Sequence, residues 1–242
     1  GSTDRRNHPG GPHAARRAGA TRVRSEAHSD KAAAIALCPS LAAAGAELEA
    51  YEALLRIWQP RINLVSGPTL VALWTRHFAD SAQLFETFPN ISRWADLGSG
   101  AGFPGMVLAI LLKPRAGAVV HLIESDQRKA AFLRAVSRET GAPAIVHVGR
   151  IESELPPLIG QIDGICARAL APLPRLVDWS REHLLKSAIG VFLKGEDWRG
   201  ELTVLTPESS FQTRSIVSRT NPAARIIVVE KAESNGTGAT SR

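Results

Sequence analysis

The residue types with the clearest chemical use stand in one segment, residues 96–105, which reads DLGSGAGFPG. The segment follows a predicted strand and precedes a predicted helix, so it lies where doubly wound sheets bind ligands. Glycines permit positive φ angles and let a ligand approach the backbone closely. Pro104 suits the first turn of the following helix, because that turn does not need its missing N–H. The segment therefore predicts a ligand-binding loop.

Two cofactors are compatible with this loop. Gly100, Gly102 and Gly105 match the dinucleotide fingerprint GxGxxG, which is a weak signal by itself. A carboxylate at Asp96 would repel a pyrophosphate, but it would attract the sulfonium and ammonium charges of S-adenosylmethionine. The spacing from Gly98 to Gly102 also makes a longer and flatter loop than a pyrophosphate turn requires. We therefore predict S-adenosylmethionine, with NAD as the alternative.

Glu124 ends the next predicted strand, where an acidic residue can accept hydrogen bonds from both ribose hydroxyls of an adenosine. Its spacing from the loop serves NAD and S-adenosylmethionine equally, so it supports an adenosine without choosing between them. The alternative is an acid at a strand end that faces water or pairs with Arg128.

The segments around the loop alternate between strand and helix patterns. The strand candidates are Arg93–Leu97, Val119–Glu124, Ala144–Val148, Ile162–Ala167 and Ile189–Leu193. The helix candidates between them are Pro104–Leu112, Gln127–Thr140, Glu152–Leu158 and Leu173–Leu185. This alternation predicts an α/β fold, with a parallel sheet and helices on both of its faces.

The C-terminal part of the chain departs from this alternation. A short helix is predicted around Asp197–Leu205, followed by strands over Phe211–Ser218 and Arg225–Glu230. Asn221-Pro222 separates the two strands, which indicates a β-hairpin that closes the parallel sheet. Such a hairpin is unusual among dinucleotide folds and usual in the methyltransferase version of the doubly wound fold.

The residues before the first strand form a predicted N-terminal helical extension. One apolar helix face is made by Leu48, Tyr51, Leu54, Leu55 and Trp58. We expect Pro60 to end this helix and Pro68 to lie near the start of a second one. The predicted organisation is a disordered basic tail (1–30), a helical cap (31–92), the main domain (93–230) and a polar tail (231–242).

Composition excludes some classes of protein. The 242 residues are 44% hydrophobic, so the chain is not disordered as a whole, and a sizeable core is possible. No stretch approaches the ~20 apolar residues of a membrane span, and no secretory leader is apparent. The two cysteines lie far apart, which fits a cytoplasmic location. The net charge of +6 comes mostly from the ends of the chain, so bulk charge does not indicate nucleic acid.

Common catalytic and metal-binding motifs are missing from the sequence. It contains no GxSxG, HExxH or CxxC, so we predict neither a catalytic triad nor a bound metal. The Asn/Asp-Pro-Pro-aromatic motif that holds an exocyclic amine is also missing, and Ala167-Arg168-Ala169 follows the fourth strand instead. This pattern argues against adenine N6 methylation and suits a ring nitrogen as the methyl acceptor.

The chain from Tyr51 to about Lys194 resembles the glucose-inhibited division protein B (RsmG) family of bacterial 16S rRNA guanine-N7 methyltransferases. The motifs that carry the resemblance occur in the family's order: residues 58–64 (WQPRINL), 76–81 (RHFADS), 96–105, 124–125 (ES), 128–129 (RK), 132–133 (FL), 149–152 (GRIE), 168–169 (RA) and 193–195 (LKG). RHxxDS together with GFPG is quite specific. The chain departs from the family at its basic start, at its C-terminal tail and at Gln59-Pro60.

The resemblance implies a Rossmann-like class I S-adenosylmethionine-dependent methyltransferase fold and a target guanine in the 530 loop of 16S rRNA. It also implies the residues of the cofactor site. Ile151 and Glu152 would flank the adenine, Glu124 would hold the ribose, and Asp96 would lie near the methionine moiety. The remaining expected contacts are Gly98, Ser99, Gly100, Gly102 and Phe103 of the loop, and Arg168.

Several basic residues are expected at the carboxyl edge of the sheet, where they could bind phosphates or guanine O6. We assign Arg168 and Lys194 to positioning in catalysis, since a guanine N7 carries no proton and needs no general base. Arg128, Lys129, Arg150 and Lys194 are predicted to bind RNA. The alternative for Arg128 and Lys129 is a solvated helix start.

Other aromatic and imidazole side chains receive structural assignments. His77 is expected to link the helical cap to the sheet. Trp58, Trp74 and Trp179 fall at apolar helical positions, so we expect them to pack in the core.

The predicted partner is 16S rRNA or the 30S subunit, with no membrane and a monomeric state. Three alternatives stay open at this point: a methyltransferase with a small-molecule substrate, an NAD-binding oxidoreductase and a non-catalytic binding protein. The complete glycine loop argues against the last of these.

Overall fold

The computed structural model describes residues 28–205 and 210–232. Its seven strands form one sheet with the order β3-β2-β1-β4-β5-β7-β6. The strands are β1 Arg93–Leu97, β2 Val119–Glu124, β3 Ala144–Val148, β4 Gly164–Arg168, β5 Ile189–Lys194, β6 Phe211–Val217 and β7 Arg225–Lys231. Strands β1 to β5 are parallel, and β7 pairs antiparallel with β5 and β6. The predicted parallel sheet with a closing hairpin is confirmed.

The helices of the described chain flank this sheet and precede it. They are α1 (residues 28–37), α2 Gly45–Ile62, α3 Gly67–Val71, α4 Asp80–Thr87, α5 Gly105–Leu112, α6 Gln127–Thr140, α7 Ile151–Glu154, α8 Leu173–Leu185 and α9 Trp198–Val204. Short 3₁₀ turns cover Pro39–Ala42 and Pro156–Leu158, and a π-helix covers Trp74–Ala79. Helix α1 already includes residues 28–30, whereas the rest of the predicted N-terminal tail lies outside the described residues, as does 233–242.

Three predicted helices differ from the observed ones because of proline or local winding. Helix α2 continues past Pro60 to Ile62 and ends at Asn63, whose left-handed backbone (φ 46°) donates its N–H to the Gln59 carbonyl. Pro60 removes one backbone donor and crowds the preceding turn, and the helix ends two residues later. The predicted helix Glu152–Leu158 is one turn of α7 and a separate 3₁₀ turn, since Pro156 and Pro157 cannot donate hydrogen bonds. The helix predicted from Pro68 is divided into α3, the π-helix and α4.

Helical cap and sheet share one hydrophobic core on one face of the sheet. Tyr51 of α2 is fully buried at its centre, where its ring lies 5.5 Å from Phe103 and 6.1 Å from Phe132. The Tyr51 hydroxyl donates to the carbonyl of Ala101 in the glycine loop. At Gly102, a Cβ atom would lie 2.5 Å from the Tyr51 oxygen, so glycine is required for this packing. The cap therefore supports the loop directly.

The opposite face of the sheet is covered by α7, α8 and α9 with a second apolar cluster. Across the described part of the chain, no helix combines the length and apolarity needed to cross a membrane. Within the same residues, no cluster of three histidine, cysteine or acidic side chains is arranged to hold a metal ion.

Candidate active site

Two cavities adjoin at the carboxyl edge of the sheet. The first, which we call the loop cavity, has a volume of about 450 Å³ and is lined by the glycine loop and the residues after β2 and β3. The second, the hairpin cavity, has a volume of about 490 Å³ and is lined by the ends of β4 and β5, the π-helix and the turn of the C-terminal hairpin. His77, Arg168 and Ala169 belong to both, so these three residues form the shared wall.

Backbone hydrogen bonds hold the glycine loop against β2. The N–H of Ser99 donates to the carbonyl of Ile123 at 3.0 Å, and the N–H of Gly100 donates to the Glu124 carboxylate at 2.7 Å. Gly98 has a φ of +63°, and a Cβ atom there would lie 2.5 Å from the Leu170 side chain. Both the backbone conformation and the space thus require glycine at position 98.

Glu124 is nearly buried and lines the loop cavity at the end of β2. Its Oε2 accepts from the N–H of Gly100, and its Oε1 accepts from the N–H of Asp126 at 2.8 Å. A carboxylate oxygen can accept more than one hydrogen bond, so these contacts orient the group and leave acceptor capacity toward the cavity. This placement fits the ribose role predicted for Glu124.

Asp96 lies beneath the loop and lines neither of the two cavities, and its expected place near the methionine moiety stays a prediction. Its side chain is fully buried, and its Oδ2 accepts from the N–H of Gly105 at 3.1 Å, at the start of α5. The Cys166 thiol lies 3.7 Å from Oδ1. Burial raises the pKa of Asp96 to about 7. The carboxyl group therefore anchors α5 and the loop from below.

Gly102 is likewise turned away from the loop cavity, because it packs against Tyr51. Gly98, Ser99, Gly100 and Phe103 do line this cavity, as predicted. The motif thus contains two kinds of residue, those that face the cavity and those that pack behind it. Spacing alone did not distinguish them.

The far end of the loop cavity is formed after β3 and by α8. Ile151 and Glu152, which the family resemblance places beside the adenine, line this end of the cavity. The Glu152 carboxylate accepts from the indole N–H of Trp179 at 2.9 Å and from Arg175 at 3.2 Å. Trp179 is partly buried and packs against the second apolar cluster, as predicted, and it also lines the cavity. Trp74 is buried in the core, and Trp58 packs against it, as expected.

The shared wall is an interlocked set of polar side chains. The Arg168 guanidinium donates to the Asp80 carboxylate at 3.1 Å, to the Arg76 carbonyl at 3.1 Å and to Nδ1 of His77 at 2.7 Å. It also lies 5.1 Å from the centre of the Phe103 ring. The π-helix places Arg76 and His77 on this contact, and π-helical turns frequently occur at functional sites.

His77 is held in its neutral form. Burial and the neighbouring positive charges of Arg168 and Arg76 lower its pKa to about 3. Because Nδ1 accepts a hydrogen bond from Arg168, the proton is on Nε2, which donates to the Thr69 hydroxyl at 2.9 Å. The ring stacks on Phe103 with 4.7 Å between centres. His77 thus links the cap to the sheet, as predicted, and also forms part of the wall.

The hairpin cavity contains functional candidates that the sequence did not reveal. Lys194, predicted for this edge, donates to the Ala171 carbonyl at 2.8 Å and pairs with Glu201 at 2.7 Å. Asp80 accepts from the Thr220 hydroxyl at 2.7 Å, which ties the hairpin turn to the cap. The lining residues missed by the sequence reasoning are Thr69, Arg76, Asp80, Glu201, Thr220 and Arg225. Only the packing of distant segments brings them together.

The predicted basic residues divide among three places. Lys129 and Arg150 line the loop cavity, whereas Lys194 lines the hairpin cavity and Arg168 lines both. Arg128 lies outside both cavities, with 70% of its side chain exposed and an ion pair of 3.6 Å to Asp126. The basic set therefore surrounds the site rather than forming a single patch.

The residues of the loop cavity fit S-adenosylmethionine. The backbone of Gly98 and Gly100 lines the cavity, and the oriented Glu124 carboxylate is an acceptor suited to ribose hydroxyls. The carboxylates of Glu124 and Glu152 on this cavity are compatible with a cationic ligand. The lining also includes the cations Lys129, Arg150 and Arg168.

Comparison with known protein families agrees with this geometry. Residues 45–225 match the family described as rRNA small subunit methyltransferase G, or GidB. A protein of that name from Bradyrhizobium sp. (strain ORS 278) is 45% identical over 208 residues, which cover 86% of this chain and 94% of the relative. The corresponding protein of Parvibaculum lavamentivorans is 49% identical over 183 residues, covering 75% of this chain and 80% of the relative.

Solved structures with a similar fold are also methyltransferases. An S-adenosylhomocysteine-bound methyltransferase of Podospora anserina, PaMTH1, aligns with a TM-score of 0.57 at 12% identity, over 77% of this chain and 88% of that one. The ribosomal protein L11 methylase of Lactobacillus delbrueckii subsp. bulgaricus aligns with a TM-score of 0.52 at 16% identity, over 65% and 79% of the two chains. These similarities confirm the predicted class I methyltransferase fold.

Proposed function

The chain belongs to the rRNA small subunit methyltransferase G family, and from this premise we propose that it methylates N7 of a guanine in the 530 loop of 16S rRNA. It is a methyltransferase, and its cofactor is S-adenosylmethionine. The observation that carries the proposal is the wall of His77, Arg168 and Ala169 shared by two cavities. One cavity suits an adenosine cofactor, and a second molecule bound in the other cavity would lie directly beside it.

When bound, S-adenosylmethionine supplies a methyl group that is open to attack by a lone pair. In the proposal, the backbone around Gly98 and Ser99 and the Glu124 carboxylate hold the adenosine. Ile151 and Glu152 contact its adenine end, and Phe103 closes the cavity toward the shared wall. Because these groups are held by backbone hydrogen bonds or packing, they orient the cofactor without rearranging.

Guanine N7 has an exposed lone pair and no proton at neutral pH, so the reaction needs no general base. The shared wall supports this reading, because both nitrogens of the neutral His77 are occupied by Arg168 and Thr69. Asp80, the carboxylate nearest to this wall, is paired with Arg168. The proposed contribution of these residues is to align the reactants and exclude water, which is worth about 7–11 kcal/mol in favourable cases.

The character of the hairpin cavity favours RNA over a small apolar substrate. Charged and hydroxyl side chains dominate its wall, among them Arg76, Arg225 and Thr220, and it opens to solvent. Together with Lys129 and Arg150, these cations are positioned to contact phosphates of a folded RNA. We therefore propose the 30S subunit or 16S rRNA as the partner of a monomeric, cytoplasmic enzyme.

The test is methyl transfer from labelled S-adenosylmethionine to 30S subunits from a strain that lacks the endogenous enzyme. We expect label at a single guanine N7 in the 530 loop, identified by chemical mapping of the rRNA. Arg93→Ala, at the opposite edge of the sheet and paired with Asp163, is a control that should retain activity. Cofactor binding without transfer to subunits or free rRNA would contradict the proposed substrate and leave the methyltransferase fold intact.

A further inference from the structure

We propose that Glu201 determines specificity for guanine, by accepting hydrogen bonds from N1–H and the 2-amino group of the target base. In this arrangement the Lys194 ammonium lies beside O6. The inference rests on the proposed guanine substrate and adds the residue that recognises its Watson–Crick edge. The edge consists of two neighbouring donors followed by an acceptor, so it requires a carboxylate and a cation next to each other.

Only two carboxylates stand among the described residues that line the hairpin cavity, Asp80 and Glu201. Asp80 is occupied: Oδ2 accepts from Arg168, and Oδ1 accepts from Thr220 at 2.7 Å and from Gln83 at 3.0 Å. It serves the shared wall and the hairpin turn. This leaves Glu201 as the carboxylate for the donors of a bound base.

The Glu201 carboxylate is held by two contacts and stays partly accessible to a ligand. Its Oε2 accepts from the N–H of Leu173 at 2.6 Å and pairs with Lys194 at 2.7 Å. These contacts fix α9 against the start of α8 and the end of β5. The Glu201 side chain is still 27% exposed, and it faces the cavity. A fixed and partly accessible carboxylate is suited to recognition because little freedom is lost on binding.

The order of groups along the sheet edge matches the order of atoms around guanine. Strands β4 and β5 are neighbours, with Arg168 opposite Leu193, so Lys194 lies next to the shared wall. Glu201 lies on the side of Lys194 contributed by α9. Along this edge, Glu201 comes first, Lys194 second and the shared wall third. On the base, the matching order is N1 with N2, then O6, then N7. N7 would thus face the cofactor side.

The same pair would disfavour adenine. Adenine presents an acceptor at N1, toward the Glu201 carboxylate, and a donor at N6, toward the Lys194 ammonium. An acceptor would thus face an acceptor at N1, and a donor would face a donor at N6. Both charged groups would then lack a hydrogen-bond partner on the base, and a site built in this way discriminates strongly between bases. Specificity would therefore arise from repulsion of the wrong base as well as attraction of the right one.

The experiment compares 30S subunits reconstituted with 16S rRNA carrying either guanine or inosine at the methylated position. Inosine keeps N7, O6 and N1–H but lacks the 2-amino group. We expect the wild-type enzyme to prefer guanine by about 10-fold or more in kcat/KM, as a hydrogen bond to a charged group provides. An equal rate on the two substrates would overturn the inference without need of any variant.

Glu201→Gln then tests the residue itself. We expect a lower rate on guanine and a guanine-to-inosine ratio close to one, because the amide no longer presents two acceptors. If Glu201 only holds Lys194 and α8 in position, the rates on guanine and on inosine fall by the same factor. The guanine-to-inosine ratio then stays at the wild-type value, which would overturn the inference. Glu196→Gln is the matched control, since Glu196 is exposed and lies outside the cavity.

The outcomes also separate this inference from the proposed function. If wild-type enzyme fails to methylate guanine-bearing subunits, the proposed substrate is contradicted. If it methylates guanine and inosine equally at N7, the proposed function stands and the role of Glu201 fails.

Discussion

The loop cavity and the hairpin cavity adjoin at one wall, yet they are built in different ways. The loop cavity is shaped largely by backbone: a contiguous glycine segment bonded to β2 through Ser99 and Gly100. The hairpin cavity is shaped by side chains from the π-helix, β4, β5, α9 and the hairpin turn. Its polar groups hold one another in pairs, such as Arg168 with Asp80 and Lys194 with Glu201.

This difference has consequences for how each cavity responds to change. A backbone site is sensitive to added atoms, because Gly98 and Gly102 have positive φ angles and an added Cβ at either would lie 2.5 Å from a neighbouring atom. A side-chain site is sensitive to removed atoms, because removing one member of an ion pair, such as Arg168 with Asp80, leaves its partner without a counter-charge. We therefore expect the loop cavity to lose function when atoms are added, and the hairpin cavity to lose function when side-chain atoms are removed.

The largest effect is expected from adding atoms to the loop, with Gly98→Val. The substitution forces a β-branched residue to a φ of +63° and into the Leu170 side chain. Strain and overpacking together should raise the Kd for S-adenosylmethionine by about 100-fold, as measured by calorimetry. Gly117→Ala is the matched control, since Gly117 has a φ of +75° with open space around it. Equal losses in both variants would contradict a specific role for the loop.

Removing Arg168 should have the next largest effect, and it should act on transfer more than on cofactor binding. Arg168→Ala leaves Asp80 unpaired and misplaces the wall, which we expect to lower single-turnover rates by about 10-fold to 100-fold. The pKa of His77 should rise from about 3 toward its ordinary value, because one of the charges that lowers it is removed. Kinetics and imidazole NMR titration measure the two effects. An unchanged rate in a folded variant would exclude Arg168 from the site.

An effect on stability, and a smaller one on activity, is expected beneath the loop, at Asp96. Its pKa is raised to about 7 from 3.8, so the folded chain holds more protons than the unfolded chain between these pH values. Asp96 therefore lowers stability as pH rises through this window. Asp96→Asn removes the titration and keeps an acceptor for the Gly105 N–H.

The free energy of unfolding of Asp96→Asn minus that of wild type should increase from about pH 4 to about pH 7, and then level off. Between pH 4 and pH 8 we expect the difference to grow by about 4 kcal/mol, because each pH unit by which the pKa is raised corresponds to about 1.4 kcal/mol. Urea unfolding at several pH values measures this difference, in which the opposite contribution of His77 cancels because both proteins carry it. A difference that is flat with pH would show that Asp96 does not titrate in this range.

The smallest effect is expected at Arg128, outside both cavities. Arg128→Ala should leave the cofactor Kd within about two-fold of wild type, since its only described ion pair is with the exposed Asp126. If Arg128 contacts a phosphate, the KM for 30S subunits should rise a few-fold, and the slope of log K against log salt should fall by about one. A KM and a salt slope equal to wild type would assign Arg128 to the solvated helix start.

The sequence alone determined the sheet, its hairpin, the glycine loop and the family. These features are encoded by contiguous residues, because periodicity, glycine and proline act on the local backbone. Within the site, the sequence also identified Gly98, Glu124, Ile151, Arg168 and Lys194 at the correct edge.

Only the tertiary structure decided which side chains face the cavities. Asp96 is fully buried beneath the loop, whereas Trp179 packs on the second apolar cluster and also lines the loop cavity, and neither placement follows from spacing along the chain. Asp80, Glu201 and Thr220 join the site from segments up to 140 residues apart. Their contacts depend on how the cap, α9 and the hairpin pack against the sheet. Local patterns specify backbone conformation, but the direction and partners of a side chain follow from the packing of the whole domain.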